Sequence, residues 1–187
     1  AKLQNLAGKS ILLTGASGLL GTYFLASLRE LTSEGRAPLS VTAVVQSELA
    51  APLTSLLDFE GARTVRGDLT DLDFVSGLGN FDFIIHAAGY GQPGRFMEDH
   101  VKTLKLNTST TLALFDRLAK EGHFLFLSTS EVYSGLPNPP YRETQIGTTN
   151  TTHSRSCYIE AKRCGEAICN AYRARGVIAS SARLALA

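Results

Sequence analysis

The chain has 187 residues, 44% hydrophobic and 19% charged, and 18 Lys plus Arg against 17 Asp plus Glu leave a formal net charge of +1. That length suits roughly one domain, and surface scaling implies that folding removes about 70% of the unfolded chain's surface from water. The apolar, near-neutral composition excludes a disordered chain and lacks the basic excess of a general nucleic-acid binder.

Apolar runs and helix-like stretches alternate along the chain. Ser10–Thr14 reads as a first strand, ended by Gly15. Leu19–Leu31 follows as a helix, with Leu20, Phe24, Leu28 and Leu31 spaced by three and four. Val41–Val45 is a second strand whose apolar run suits burial on both faces. Ala51–Phe59 is a weaker helix, Arg63–Arg66 a short third strand and Phe81–His86 a fourth. Val101–Lys120 reads as one long helix stopped by Gly122, and His123–Leu127 as a fifth strand. Leu136–Ser156, rich in Pro and Thr, is loop. Tyr158–Arg175 is a helix capped by Gly176, and Val177–Leu184 a sixth strand. The alternation predicts right-handed βαβ units and an α/β doubly wound parallel sheet of about six strands, with residues 1–187 forming one dinucleotide-binding domain of the Rossmann type. Ligands of such sheets bind at the carboxyl ends of the strands, near the switch point.

Other chemistry is sparse. Cys157, Cys164 and Cys169 are odd in number and lack CxxC spacing, so neither a disulfide framework nor a metal site is expected; they read as small buried residues of one helix. Ala1–Asn5 lacks the apolar core of a signal peptide, and no run approaches the ~20 apolar residues that span a bilayer, so the expected setting is cytoplasmic without membrane partners.

Between the first strand and the first helix lies Thr14-Gly15-Ala16-Ser17-Gly18-Leu19-Leu20-Gly21. Gly15 permits the sharp turn, Gly18 lets a pyrophosphate approach the backbone, and Gly21 lets helix and sheet pack closely. The helix N-terminus offers free N–H groups to phosphate, so residues 15 and 17–21 form the expected dinucleotide loop. The acid expected after the second strand to hold the adenosine ribose is absent; Gln46 stands there and could bond the ribose instead. Glu48 reads as a solvated loop charge. No arginine follows immediately to hold a 2′-phosphate, so NAD and NADP both stay open.

Tyr158 and Lys162 are four residues apart and share one helix face. An ammonium beside a phenol, together with an oxidised nicotinamide, favours the phenolate and so equips tyrosine as a base near neutral pH. Ser128-Thr129-Ser130-Glu131 closes the fifth strand, where a sheet of this kind presents side chains to ligands. Thr129 is a candidate to hold a substrate oxygen, and Glu131 to act as acid, base or orienting charge.

Taken in order, these motifs resemble the extended short-chain dehydrogenase/reductase superfamily, in its branch of nucleotide-sugar epimerases, dehydratases and decarboxylases. The resemblance is carried by residues 14–21, Gly67-Asp68-Leu69-Thr70-Asp71, His86-Ala87-Ala88-Gly89, Asn107, residues 128–133 and Tyr158-Ile159-Glu160-Ala161-Lys162. It implies NAD as cofactor, with Asp68 and Leu69 on the adenine side, Ala87, Ala88 and Gly89 behind the nicotinamide ribose, Asn107 and Ser128 lining the cofactor site, and a Thr129, Tyr158, Lys162 triad. It further implies a nucleotide-sugar substrate oxidised transiently at C4, with Tyr158 taking the hydroxyl proton, Lys162 holding the ribose, Thr129 fixing the oxygen and Glu131 assisting at C5 or C6. Thr129-Ser130-Glu131 and Cys157-Tyr158 followed by Lys162-Arg163 and Glu166 are similar to UDP-glucuronate decarboxylases; 4,6-dehydratases and 4-epimerases are the alternatives. Two departures stand out: Ser134 replaces the usual glycine, and the family's C-terminal substrate domain is absent from this chain. A nicotinamide-binding module without catalysis and a reductase of small carbonyl compounds are the rival readings. Helices 101–120 and 158–175 are the expected dimer surface, with Leu104, Leu112, Phe115, Ala167, Ala171 and Tyr172 as its apolar residues.

Overall fold

A computed structural model describes residues 6–33, 38–49, 51–90 and 93–185; Ala1–Asn5 and the final two residues, on which the leader and chain-end readings bear, lie outside them. Six strands form one sheet: β1 (Ser10–Thr14), β2 (Ser40–Val45), β3 (Ala62–Arg66), β4 (Phe81–His86), β5 (Leu118–Thr129) and β6 (Ile178–Leu184). All adjacent pairs are parallel, in the order β3-β2-β1-β4-β5-β6, so the connection reverses between β1 and β4. The doubly wound expectation is met.

Alternation along the strands builds two cores. Leu12, Ile84, Phe124 and Phe126 face one side, against α3 (Leu72–Ser76), α5 (His100–Asn107), α6 (Ser109–Phe115) and α7 (Ser156–Arg173). Ile11, Leu13, Val41 and Ala43 face the other, where Leu25 and Leu28 of α1 (Leu19–Ser33) pack. On that second side Phe83, Ile85 and Leu125 are only half-buried. The chain exposes 10416 Å², about a fifth more than the ~8,700 Å² expected for its size. Two short helices go beyond the sequence reading. One is α3, whose Asp71 cap accepts from the Asp73 and Phe74 N–H groups; the other is α4 (Pro93–Glu98). The weak helix after β2 is α2 (Ala51–Leu56). Among the described residues, no helix is long and apolar enough to cross a membrane.

The long helix expected over 101–120 is instead α5 and α6, broken at Thr108 (φ −117°, ψ −80°). Asn107 Nδ2, Thr108 Oγ1 and Thr111 Oγ1 each donate to the carbonyl four residues back, which bends helices. Thr110 Oγ1 reaches across to the Leu69 carbonyl at 2.7 Å. The chain then enters the sheet early, where the Phe81 N–H donates to the Arg117 carbonyl. Gly122 therefore lies within β5 rather than ending a helix, and the left-handed residue is Glu121 (φ 66°). A Cβ on Gly122 would stand 2.9 Å from the Asp82 carbonyl oxygen.

Candidate active site at the carboxyl edge of the sheet

The glycine loop follows β1 directly. Gly15 has φ 69°, and a Cβ there would lie 2.6 Å from the backbone of Ala87 and Ala88. A Cβ on Gly21 would lie 2.2 Å from the Gly15 carbonyl oxygen, so α1 packs against the loop's own backbone. Gly18 differs: its Cβ would meet only the Gly15 carbonyl oxygen, at 3.3 Å. Ser17, Gly18, Leu19 and Leu20 are exposed on the crest, while Ala16 is buried beneath it. The loop leaves an open backbone surface at the N-terminus of a 15-residue helix, a setting suited to phosphate.

On the outer side of the switch point, Asp68 Oδ1 accepts from the Thr70 N–H and hydroxyl, and Oδ2 from Lys102 Nζ at 2.6 Å and, more loosely, Gln46 Nε2 at 3.4 Å. Burial raises the Asp68 carboxyl, but Lys102 and Thr70 overcome it and hold the pKa at about 2. Gln46 and Asp68 are thus brought together as the sequence suggests, and Lys102 joins them from α5. Leu69 departs from the expectation. Its side chain is in the core and its carbonyl is taken by Thr110, because the turn after β3 folds inward against α6.

Beyond β4, Gly89 faces Lys162: a Cβ there would lie 3.4 Å from Nζ. Ala87 and Ala88 abut Gly15. Asn107 is fully buried; Nδ2 donates to the Thr103 carbonyl, and Oδ1 has no hydrogen-bond partner.

Thr129 ends β5 and caps the 3-10 turn Ser130–Tyr133, accepting from the Glu131 N–H. Thr129 lies close enough to Tyr158 to favour its phenolate. The Tyr158 ring stacks on Phe96 of α4 with centroids 4.4 Å apart. Lys162 Nζ donates to the Leu127 carbonyl at 2.7 Å and lies 4.8 Å from the Phe126 ring and 5.9 Å from that of Tyr158. One part of an expectation needs correction, the share given to the ammonium alone. Lys162 does not lower the phenol here: burial raises the Tyr158 pKa, Thr129 and Arg155 opposing it and Glu131 adding to it. Burial also brings the Lys162 ammonium down to about 7, so it is itself a weakened cation. Glu131 forms an ion pair with Arg155, which lies three residues before Tyr158 and 5.5 Å over the Phe96 ring. Arg155 and Phe96 carry no motif of their own; Arg155 is a near neighbour in sequence, and only the fold brings Phe96 to the tyrosine.

Ser128 is a second correction. It points to the opposite face from Thr129, as neighbours on a strand do, and its hydroxyl donates to Glu166 at 2.6 Å. Arg183 of β6 grips Glu166 with Nε at 2.9 Å and Nη2 at 2.7 Å, and its Nη1 donates to the Tyr133 hydroxyl and the Glu143 carbonyl. Arg163 donates to the Val132 carbonyl. Two arginines thereby hold the turn that carries Glu131. The cysteines are free thiols on α7, but only Cys169 is buried and Cys164 is exposed, because they fall on different sides of the helix. No group of three or more His, Cys, Asp or Glu able to hold a metal occurs among the described residues.

The model of the NAD dependent epimerase/dehydratase family matches residues 11–186. The chain is 31% identical over 180 residues to UDP-glucuronic acid decarboxylase 1 of Danio rerio, covering 94% of this chain and 41% of that protein. It is 29% identical over 151 residues to dTDP-glucose 4,6-dehydratase of Streptomyces antibioticus, covering 79% and 45%. The crystal structure of dTDP-glucose 4,6-dehydratase from Streptomyces venezuelae with NAD and TYD bound shares the fold, with a TM-score of 0.75 at 22% identity, covering 93% of this chain and 55% of that one. The chain therefore spans about two fifths of the curated relatives it matches. With the family model matched from β1 through β6, the chain belongs to the NAD dependent epimerase/dehydratase family.

Proposed function

We propose that residues 1–187 form the dinucleotide-binding domain of a nucleotide-sugar enzyme that works through a transient 4-keto sugar, of the UDP-glucuronate decarboxylase type. The observation that carries this reading is the placing of Lys162 Nζ 5.9 Å from the Tyr158 ring and against Gly89, with Thr129 at the end of β5 beside them and the glycine loop across the switch point. The 31% identity to a UDP-glucuronic acid decarboxylase favours that activity over 4,6-dehydration or 4-epimerisation. NAD fits the residues present: the open crest at Ser17–Leu20 for the pyrophosphate, Gln46 and Asp68 toward the adenosine, and Ala87–Gly89 with Lys162 toward the nicotinamide ribose. Gln46 carries no charge to repel a 2′-phosphate, so NADP is a second possible ligand, and titration with both dinucleotides decides between them.

When bound, NAD supplies the two-electron acceptor for oxidation at C4 and returns the hydride later. Thr129 holds the 4-oxygen, and Tyr158 takes the hydroxyl proton. The raised phenol pKa makes Tyr158 a neutral hydrogen-bond partner until a cationic ring lies beside it. Lys162 bonds the ribose. Glu131, ion-paired with Arg155, orients the C5 side of the sugar, where a neighbouring ketone eases loss of carboxylate. In the full-length protein Tyr158→Phe keeps the Phe96 stack and removes the proton acceptor, so turnover of UDP-glucuronate should fall by about 10²–10⁴. Unchanged turnover would refute the assignment. Absence of any turnover in the wild type, with dinucleotide binding intact, would favour a non-catalytic module.

Assembly as a homodimer is part of the proposal, supported by exposed Leu104 and Leu112 and by Ala167 and Ala171 on α7. Phe115 and Tyr172 are not available to it: they stack on each other at 3.9 Å against the core. Light scattering showing only monomer at high concentration would remove the dimer. The free cysteines suit a cytoplasmic setting, which cell fractionation would check.

A further inference from the structure

His86 closes β4 with its ring buried and both nitrogens bonded. Nε2 lies 3.0 Å from the Leu106 carbonyl oxygen, and Nδ1 lies 2.8 Å from Thr14 Oγ1. A carbonyl oxygen only accepts, so Nε2 carries the proton and Nδ1 is the acceptor. The Thr14 hydroxyl therefore donates to Nδ1, and its oxygen accepts from the Ala88 N–H at 3.1 Å. The polarity runs one way, from Ala88 through Thr14 and His86 to Leu106. Burial first, then the charge of Lys162, keeps the imidazole neutral down to about pH 4, so this direction is constant at neutral pH.

Each member sits next to a residue of the cleft. Thr14 precedes Gly15, Ala88 lies between Ala87 and Gly89, and Leu106 precedes Asn107. Thr14 and His86 are register partners on β1 and β4, the two strands between which the strand order reverses. The loops after these strands meet so closely that Gly15 has no space for a Cβ against Ala87 and Ala88. A network with every donor matched can set that spacing, whereas apolar packing alone tolerates sliding.

We infer that His86 is a positioning residue of the dinucleotide cleft: through Thr14 it locks the loop at Ala87–Gly89 onto the glycine loop, and through Leu106 it fixes α5 beside them. The inference rests on the dinucleotide reading above. A role as core filler alone is the competing account, since the ring also lies 5.8 Å from that of Phe126.

Calorimetric titration of NAD into wild type, His86→Leu, His86→Asn and His86→Gln, each with its melting temperature, separates the two. Asn places an acceptor near the Nδ1 position. Gln reaches toward Leu106 with a donor but leaves Thr14 without its acceptor. His86→Leu and His86→Gln should weaken NAD about tenfold or more, and His86→Asn should recover most of that loss although it melts no higher than the others. Wild-type affinity in His86→Leu, or affinities that follow melting temperature alone, would overturn the inference. Failure of the wild type to bind NAD would instead remove the dinucleotide reading and this inference with it. Should His86→Leu not fold, nitrogen NMR of the wild-type ring decides: a neutral Nε2–H tautomer at pH 7 upholds the network, and an Nδ1–H or charged ring refutes it.

Discussion

Gly18 and Gly21 belong to one motif, yet the structure separates what each does. A side chain at Gly18 would meet only one carbonyl oxygen, at 3.3 Å, and the residue stands exposed on the crest of the loop. Gly18→Val should therefore cost the fold about 1 kcal/mol, the scale of an altered helix start. Its isopropyl group would occupy the backbone surface offered to the pyrophosphate. Loss of that approach should weaken NAD at least about 100-fold, equivalent to about 2.7 kcal/mol. Gly21→Ala works the other way. Its Cβ would stand 2.2 Å from the Gly15 carbonyl oxygen and 2.7 Å from the Ala16 Cα, both backbone atoms that cannot rotate aside. Overpacking of this kind costs about 3 kcal/mol or more. For a chain of this size that lowers the melting temperature by about 6–12 °C. Scanning calorimetry and NAD titration on the two variants give the comparison. Wild-type NAD affinity in Gly18→Val, or an unchanged melting temperature in Gly21→Ala, would refute the division of labour.

Three further outcomes are expected. Asp82 accepts from the Ser10 N–H and hydroxyl and from Lys9 Nζ, and its carboxyl, like that of Asp68, is lowered from 3.8 to about 2. Their folded pKa values are depressed, so their stabilisation is complete above about pH 4 and is lost as pH falls through about 2. Urea unfolding across pH 2–6 should show this loss, and Asp82→Asn should flatten it. Arg183→Met should destabilise by about 3 kcal/mol, because it leaves the Glu166 carboxylate buried with Ser128 as its remaining hydrogen-bond donor. Adding Glu166→Gln should recover part of that loss, and strict additivity in the double-mutant cycle would refute the coupling. Gln46→Asp should shift preference toward NAD over NADP by about tenfold, since a carboxylate accepts from the ribose hydroxyls and repels a 2′-phosphate; equal ratios by calorimetry would refute a role for this position.

Local spacing determined a large part of this molecule. Strands β1 and β2 are legible because a strand buried on both faces must be a continuous apolar run, and β4 because its Phe81, Phe83, Ile84 and Ile85 are apolar, with Ile84 buried on one face and Phe83 and Ile85 half-buried on the other. The glycine loop is legible because its three glycines stand at fixed spacing within eight residues between a strand and a helix, and the Tyr158–Lys162 pair because a helix brings residues four apart onto one face. What only tertiary structure decided involves partners far apart in the chain. The break at Thr108 and the early start of β5 depend on Thr110 reaching Leu69 and on Phe81 bonding Arg117. Phe96 reaches Tyr158 across 62 residues, and Arg183 reaches Tyr133 across 50, with no periodicity to announce either contact. The protonation of the site was decided in the same way. Spacing placed Lys162 near Tyr158, but the degree of burial determined that the phenol is raised and the ammonium lowered, and burial is a property of the whole packed core.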